Sequence, residues 1–165
     1  MIVVSNATPL IILAKVGYFE LLQKLFAEIT ISQEVWTEVV VKGAGRSGSA
    51  ETAQASWIQV ASLADPTQLP IWRSQFNLGA GELSTILLAK ELSANLALID
   101  ERKARALAAS EGLILSGSIA VLESGYREKY VNDLRQIYLD LLAAKIWIDQ
   151  KLLKQSLAAL GLRPL

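Results

Sequence analysis

The sequence predicts an α/β fold in which helices pack on both faces of a central parallel β-sheet. Short apolar runs of strand length alternate with longer runs of helical periodicity, and the links between them are short. The chain has 165 residues, 52% of them hydrophobic, which is enough for one domain with a full core. We therefore expect a single domain over residues 1–165.

The first strand is predicted in the β-branched run that follows Met1. It brings Asn6 to the carboxyl edge of the sheet, where open α/β sheets bind their ligands. Thr8 is predicted to cap the next helix, with Pro9 at the first helical position. This turn explains the local polar residues without a functional site, and both interpretations can hold together.

The other elements follow from the same patterns of periodicity and of capping and turn residues. Helices are predicted over residues 9–16, 18–26, 33–41, 50–56, 79–93, 102–110, 119–130, 132–145 and 149–160. Strands are predicted over residues 28–31, 57–60, 95–100 and 113–115, with a further edge strand at 146–148. A mobile loop is predicted at residues 42–49, which contain three glycines, and an irregular connection at 65–70.

Composition limits the chemistry that the chain can perform. It contains no cysteine and no histidine, which excludes disulfides, thiolate nucleophiles, imidazole bases and the usual zinc sites. Basic and acidic residues both number 16, so phosphate binding has to be local. No apolar run approaches the ~18 residues of a membrane span, and we expect a cytoplasmic protein without a membrane interaction.

Polar side chains lie at the predicted strand ends. Asn6 closes the first strand, Asp100 closes another, Ser118 follows the next, and Glu82 begins a helix beside them. The carboxyl ends of parallel strands share one edge of the sheet, so these residues should converge, and Glu38 can join them from its helix. Acids gathered without histidine or cysteine favour Mg²⁺ or Mn²⁺.

These stretches resemble the PIN-domain nucleases, in particular small prokaryotic domains of the toxin–antitoxin type. The resemblance lies in residues 3–11, 79–82, 98–102 and 117–119. It covers residues 1 to about 125, and the remainder, 126–165, matches only as a helical tail. It implies a three-layer α/β/α fold and a metal-dependent ribonuclease site.

Carried over to this sequence, the resemblance implies catalytic roles for Glu38, Glu82, Asp100 and Ser118. It implies metal ligands at Asn6, Glu38, Glu82 and Asp100. Asn6 stands where the family has its first aspartate, so the site has one negative charge fewer. Two hypotheses follow: a ribonuclease weakened by Asn6, or a degenerate PIN fold that binds RNA or protein without catalysis.

The resemblance to PIN-domain nucleases also implies binding partners. The expected partners are RNA, a second copy of the chain in a homodimer, and an antitoxin protein as a candidate inhibitor. Local cations are the candidates for contacting RNA phosphates, although a solvated surface explains them equally well. They are Lys42, Arg46, Arg102, Lys103 and Arg105. A flavodoxin-like phosphate binder is a weaker alternative, because no glycine-rich loop follows the first strand.

Overall fold

A computed structural model describes all residues, 1–165, and its centre is a five-stranded sheet in which every pairing is parallel. The strands are β1 (Val3–Ser5), β2 (Ile29–Ser32), β3 (Ile58–Ala61), β4 (Leu96–Leu98) and β5 (Leu115–Ser116). Their order in the sheet is β3-β2-β1-β4-β5. The chain therefore winds outward from β1 in one direction and then returns to β4 on the other side of β1. The crevice between β1 and β4 is the switch point at which such sheets bind ligands.

Ten α-helices surround the sheet. They are α1 (Ala7–Lys15), α2 (Leu21–Phe26), α3 (Gln33–Trp36), α4 (Ser49–Gln54), α5 (Gln68–Gln75), α6 (Ala80–Glu91), α7 (Arg102–Ser110), α8 (Ser118–Arg127), α9 (Leu134–Ala143) and α10 (Gln150–Ala159). A π-helical segment, Thr37–Lys42, continues directly from α3. None of the helices is both long and apolar enough to cross a membrane.

Successive side chains of each strand point to opposite faces of the sheet, so the interior consists of two cores, one on each face. Val3 and Leu98 face a cluster of 24 buried residues built with α1, α2, α8, α9 and α10. Val4 and Ala97 face a cluster of 10 buried residues built with α6 and α7. The protein is thus a three-layer α/β/α structure, as the sequence predicted.

The C-terminal helices belong to the larger core. Leu134, Leu141 and Leu153 are members of the 24-residue cluster. Buried Tyr138 of α9 also shares a 2.6 Å hydrogen bond with Ser156 of α10. Residues 126–165 are therefore part of the packed domain.

The predicted elements are found, apart from the π-helical segment and two further segments. Residues 146–148 form no strand, and Trp147 is 95% exposed there. The connection predicted at 65–70 instead leads into α5, which carries Pro70 in its first turn. Proline is tolerated there because the first N–H groups of a helix have no partner within it.

The start of α1 differs from the prediction. Asn6, not Thr8, is the N-cap residue, and Pro9 is the third residue of the helix. The missing N–H of Pro9 again falls within the first turn. The helix start therefore fixes Asn6 at the end of β1.

Candidate functional site

Asn6 occupies the switch point with an unsatisfied side chain. Its backbone N–H donates to the carbonyl of Leu98 at 2.9 Å, which ties the end of β1 to β4. The side chain does not cap α1, the residue is 3% exposed, and Oδ1 is buried without a hydrogen-bond partner. An unpaired buried acceptor costs about 1–3 kcal/mol. Such an atom can coordinate a cation or accept a hydrogen bond from a substrate.

Glu38 and Asn6 meet at Gly81, near the start of α6. A methyl group on Gly81 would lie 2.6 Å from Oε2 of Glu38 and 3.6 Å from Oδ1 of Asn6. A side chain at position 81 would therefore displace the Glu38 carboxylate. Glycine at this position leaves the two oxygens facing a shared space.

Glu82 brings a second carboxylate to the cleft that Glu38 lines. It lies in the first turn of α6, where the helix dipole favours a negative charge. Burial and the charge of Glu82 raise the pKa of Glu38, and Lys42 partly offsets the rise. The two carboxylates therefore repel each other when both are ionised, and a bound cation would relieve this repulsion.

Glu38 takes its position from the π-helical segment. A π-helix adds a residue to the turn and re-aims the side chains that follow it, and such segments are frequent at functional sites. Here it lies between α3 and the loop at residues 43–48. The regular helix predicted over 33–41 did not anticipate this change of direction.

A chain of hydroxyl groups fixes the start of α6 against α3. Ser32, the N-cap of α3, accepts from the N–H of Val35, and its hydroxyl lies 2.7 Å from that of Ser84. Ser84 in turn donates to the carbonyl of Gly81 at 3.1 Å. Ser32 and Ser84 are both fully buried. This hydrogen-bonded chain holds Gly81, and with it the space beside Asn6.

Asp100 lies just beyond β4, and its carboxylate is occupied by α8. Its Oδ1 accepts from the N–H of Ser118 at 2.7 Å, and its Oδ2 accepts from the Ser118 hydroxyl. Burial raises the pKa of Asp100, while the two Ser118 hydrogen bonds and the charge of Arg105 oppose the rise. Gly117 is needed beside it, because a methyl group there would lie 2.6 Å from Oδ1.

The predicted site residues thus fall into two groups. Asn6, Glu38 and Glu82 surround the start of α6, whereas Asp100 and Ser118 bond to each other. Nowhere in the chain do three or more acidic side chains come together closely enough to hold a metal ion. The expected cluster of Glu38, Glu82 and Asp100 around one ion is therefore not formed, and the catalytic and ligand roles stay predictions.

The oxygen donors near the start of α6 nevertheless suit a hard cation. They are the carboxylates of Glu38 and Glu82 and the amide oxygen of Asn6, which has no hydrogen-bond partner. Mg²⁺ binds through one or two carboxylates and keeps several waters. That Asn6, Glu38 and Glu82 hold such an ion without Asp100 stays a prediction.

Glu38 and Glu82 line a cleft of about 520 Å³. Sequence reasoning missed four of its polar lining residues: Gln33, Glu34, Thr37 and Arg73. Arg73 belongs to α5, which the sequence did not reveal, whereas the other three lie on α3 and the π-helical segment.

The predicted RNA-binding cations have different surroundings. Lys42 lines this cleft, and both Lys42 and Arg46 line a neighbouring one. Arg102 and Lys103 are exposed on α7. Arg105 is not free, because its Nη1 donates to the carbonyls of Ile99 and Ser116 at 2.7 and 3.0 Å.

Comparison with known proteins agrees with this architecture. A family model described as a PIN domain matches residues 2–162. The chain belongs to the PIN-domain family. The match includes α9 and α10, so the PIN domain extends beyond the residues that carried the resemblance. A PIN domain is a nuclease-like fold, while a search of curated proteins finds no match.

Proposed function

We propose that this PIN domain is a metal-dependent ribonuclease that hydrolyses RNA phosphodiester bonds with Mg²⁺ or Mn²⁺. The observation that supports the proposal is the unpartnered Oδ1 of Asn6, which lies beside Glu38 at the switch point of a PIN fold. Glu82 interacts electrostatically with Glu38 in the same cleft. Unsatisfied oxygens of this kind cost stability unless a ligand uses them.

The residues around the cleft have distinct roles in this proposal. When bound, Mg²⁺ or Mn²⁺ supplies charge stabilisation to a phosphoryl oxygen. Asn6, Glu38 and Glu82 hold the ion, and Arg73 and Lys42 attract the phosphate from the cleft wall.

Asp100 and Ser118 retain their predicted catalytic role in the proposal, as a pair. Each carboxylate oxygen can accept more than one hydrogen bond, so Asp100 keeps acceptor capacity beside its bonds to Ser118. Since the pair adjoins β4 and Asn6 adjoins β1, Asp100 lies across the switch point from Asn6. We propose that it orients water or substrate there.

The biological setting is proposed from the family resemblance. The chain would act in the cytoplasm as the toxin of a toxin–antitoxin pair, as a homodimer that an antitoxin protein inhibits. Exposed apolar side chains on different elements are candidates for such contacts: Ile71, Ile114, Trp147 and Leu152 are each at least 45% exposed.

A second candidate function is a PIN fold that binds RNA or protein without catalysis. It is favoured by the amide at position 6 and by the absence of any group of three convergent acids. The two functions differ in what a restored carboxylate should do.

The deciding experiment compares RNA cleavage by the wild type, Asn6→Asp, and Asn6→Asp/Asp100→Ala, each with manganese and with chelator. A ribonuclease short of one acid should gain on the order of 10²-fold in rate from Asn6→Asp, because a few kcal/mol of metal or transition-state stabilisation returns. Asp100→Ala should remove that gain. Asn132→Asp, at an exposed position, is the matched control for added charge.

The outcomes separate the two functions. Equal manganese-dependent rates for the wild type and Asn6→Asp would mean that asparagine is an adequate ligand. Absence of cleavage by all variants would leave the non-catalytic function.

A further inference from the structure

The segment between α9 and α10 has the pattern of a β-strand but no neighbouring strand. It contains Lys145, Ile146, Trp147, Ile148 and Asp149. The two isoleucines are partly buried against the 24-residue core, whereas the lysine, the tryptophan and the aspartate are exposed. Alternate exposure of β-branched and aromatic residues is typical of a strand. The sheet does not include this segment, so the edge strand predicted from the sequence has no partner within the chain.

The backbone of this segment has free hydrogen-bonding groups on one edge. The N–H of Ile146 donates to the carbonyl of Leu141 at 3.3 Å, so it points back toward α9. In a strand, the N–H and C=O groups of successive residues point to alternate edges, so those of Trp147 point away from α9. They make no hydrogen bond within the chain, and neither do the N–H of Asp149 and the carbonyl of Lys145. These free groups are the donors and acceptors that a second strand requires.

The side chain of Trp147 adds an apolar surface to this open edge. It is 95% exposed, the largest exposed fraction among the large hydrophobic side chains of the protein. Leu152, in the first turn of α10, is also 50% exposed. Tryptophan is enriched among the residues that dominate the binding energy of protein interfaces. The segment therefore combines a free strand edge with an exposed apolar anchor.

The segment is complementary to itself in the antiparallel direction. When two copies pair with Trp147 opposite Trp147, Lys145 of each copy lies opposite Asp149 of the other. Opposite charges directly across an antiparallel pair are favourable. Neither residue forms an ion pair within the chain. Asp149 uses Oδ1 to cap α10, which leaves Oδ2 for a lysine of the other copy.

The free backbone groups select the same register. Opposed residues of an antiparallel pair alternate between those that exchange hydrogen bonds and those that do not. If the two Trp147 residues exchange their hydrogen bonds, the N–H of Asp149 meets the carbonyl of Lys145 in the other copy. All of these groups are free in the chain. The other phase of pairing would need the N–H of Ile146, which is already bonded to Leu141.

We infer that residues 145–149 form an antiparallel strand pair with the same residues of a second copy, and that the two Trp147 side chains pack together at the two-fold axis. An interface with two-fold symmetry uses the same surface on both subunits, and a self-complementary segment meets this condition. The inference goes beyond the proposed ribonuclease, because the pairing needs neither RNA nor a metal ion.

The area available sets the expected strength of this dimer. Two tryptophans bury roughly 300–500 Å² together. A stable specific interface buries about 1,200 Å² or more, so the strand edges and the neighbouring ends of α9 and α10, including Leu152, have to supply the remainder. We therefore expect a dimer at the small end of specific interfaces, with a dissociation constant on the order of micromolar.

The first test measures assembly at the tryptophan. Sedimentation equilibrium of the full chain, in chelator and without RNA, is followed over about 1–100 μM, the range that brackets a micromolar dissociation constant. Trp147→Ser should raise the dissociation constant by roughly thirtyfold, the effect of removing a central interface anchor. Ile114→Ser removes a side chain that is 68% exposed beside β5, and it should dimerise as the wild type does.

The second test exchanges charges across the strand pair. Lys145→Glu places acids opposite Asp149, and Asp149→Lys places lysines opposite Lys145, so each variant alone should be monomeric. An equal mixture of the two should restore a dimer with one copy of each, because both cross-strand pairs are again attractive. Native mass spectrometry identifies this mixed dimer by its mass.

Controls separate the interface from folding. Lys129→Glu reverses the same charge at another exposed lysine with a positive φ, 63° compared with 57° at Lys145, and should leave the dimer intact. Asp149→Lys also removes the cap of α10, so thermal unfolding checks that each variant is folded. Trp147→Ser and Lys145→Glu leave this cap in place and test the interface independently.

Three results would overturn the inference. A wild type that stays monomeric at about 100 μM would leave the strand edge to a different protein. A dimer that survives both Trp147→Ser and Lys145→Glu would have its interface elsewhere. A mixture of folded charge variants that stays monomeric would contradict the antiparallel register. None of these results depends on manganese-dependent RNA cleavage, so they leave the test of the ribonuclease unaffected.

Discussion

Glu38 and Asp100 are both acids at the carboxyl edge of the sheet, yet their surroundings differ. Asp100 accepts two hydrogen bonds from Ser118 and lies near Arg105, so its carboxylate oxygens are paired, although burial still raises its pKa. Glu38 makes no hydrogen bond or ion pair through its carboxylate, and the nearby charge of Glu82 opposes it. One half of this sheet edge therefore has hydrogen-bonded polar groups, whereas the polar groups of the other half lack partners.

The difference indicates which half of the sheet edge is suited to bind a ligand. The Asp100 half stabilises the protein by itself, because its polar groups are paired within the chain. The half formed by Asn6, Glu38 and Glu82 holds like charges and a buried unpaired oxygen, an arrangement that costs stability in the absence of a ligand. Removing an acid from the Asp100 half should therefore cost more stability than removing one from the other half.

The largest effect on stability is expected at Asp100. Asp100→Ala leaves the N–H and hydroxyl of buried Ser118 without acceptors, which should cost about 2–3 kcal/mol and lower the Tm by roughly 5–10 °C. Glu82→Ala, in the other half, should cost less than about 1 kcal/mol, the loss of a favourable helix-dipole interaction. Calorimetry in chelator compares the two.

Asp100→Asn refines this comparison. The amide keeps one acceptor oxygen for Ser118, so its cost should fall between those of the other two variants. Equal losses for Asp100→Ala and Glu82→Ala would show that the two halves do not differ energetically.

A smaller effect is expected at Ser84, whose hydroxyl connects Ser32 to the carbonyl of Gly81. Ser84→Ala breaks this chain at a fully buried position and should cost about 1–2 kcal/mol by chemical denaturation. It should also weaken manganese binding slightly, because the Thr85 hydroxyl, which donates to the same carbonyl at 2.8 Å, would hold Gly81 alone. Ser74→Ala, on exposed α5, is the matched control and should change neither property. A loss of stability without any change in manganese binding would separate this chain from the site.

Sequence patterns were informative about the fold and less so about the site. Strand ends such as Asn6 and Asp100 are local features, and the parallel sheet that aligns them follows from the alternation of short apolar and helical runs. By contrast, the bonds of Asp100 to Ser118 depend on the packing of α8 against the end of β4. No spacing in the sequence reveals that a carboxylate is already occupied.

The same limit applies to the π-helical segment and to Lys15, which lines the neighbouring cleft with Arg46. Residues 33–41 have an apolar periodicity that a regular helix explains, so the change in direction at Glu38 was invisible. Lys15 meets Arg46 only because Gly48 packs on α1. Both depend on contacts between elements distant in sequence.

The smallest effect, and the most direct test of the unsatisfied half, concerns Glu38. Burial and Glu82 raise its pKa in the folded protein above the value for an unfolded chain, so its ionisation opposes folding. The contribution of Glu38 to the free energy of unfolding is most favourable below the pKa of the unfolded chain, near 4.5. This contribution is lost as the pH rises through the pKa of the folded protein. At neutral pH in chelator, Glu38→Gln should therefore raise the Tm slightly, on the order of 1 °C because the group is well solvated. At pH values below the unfolded pKa the two proteins should have the same Tm.

Manganese should reverse this order at neutral pH. The wild type gains stability by binding the ion to the ionised carboxylate, whereas the glutamine variant gains little, so the wild type should become the more stable protein. Glu28→Gln, at an exposed position that does not line the cleft, is the matched control and should leave the manganese-induced shift intact. A glutamine variant that is less stable than the wild type in chelator would mean that Glu38 is already compensated within the chain, and the contrast with Asp100 would disappear.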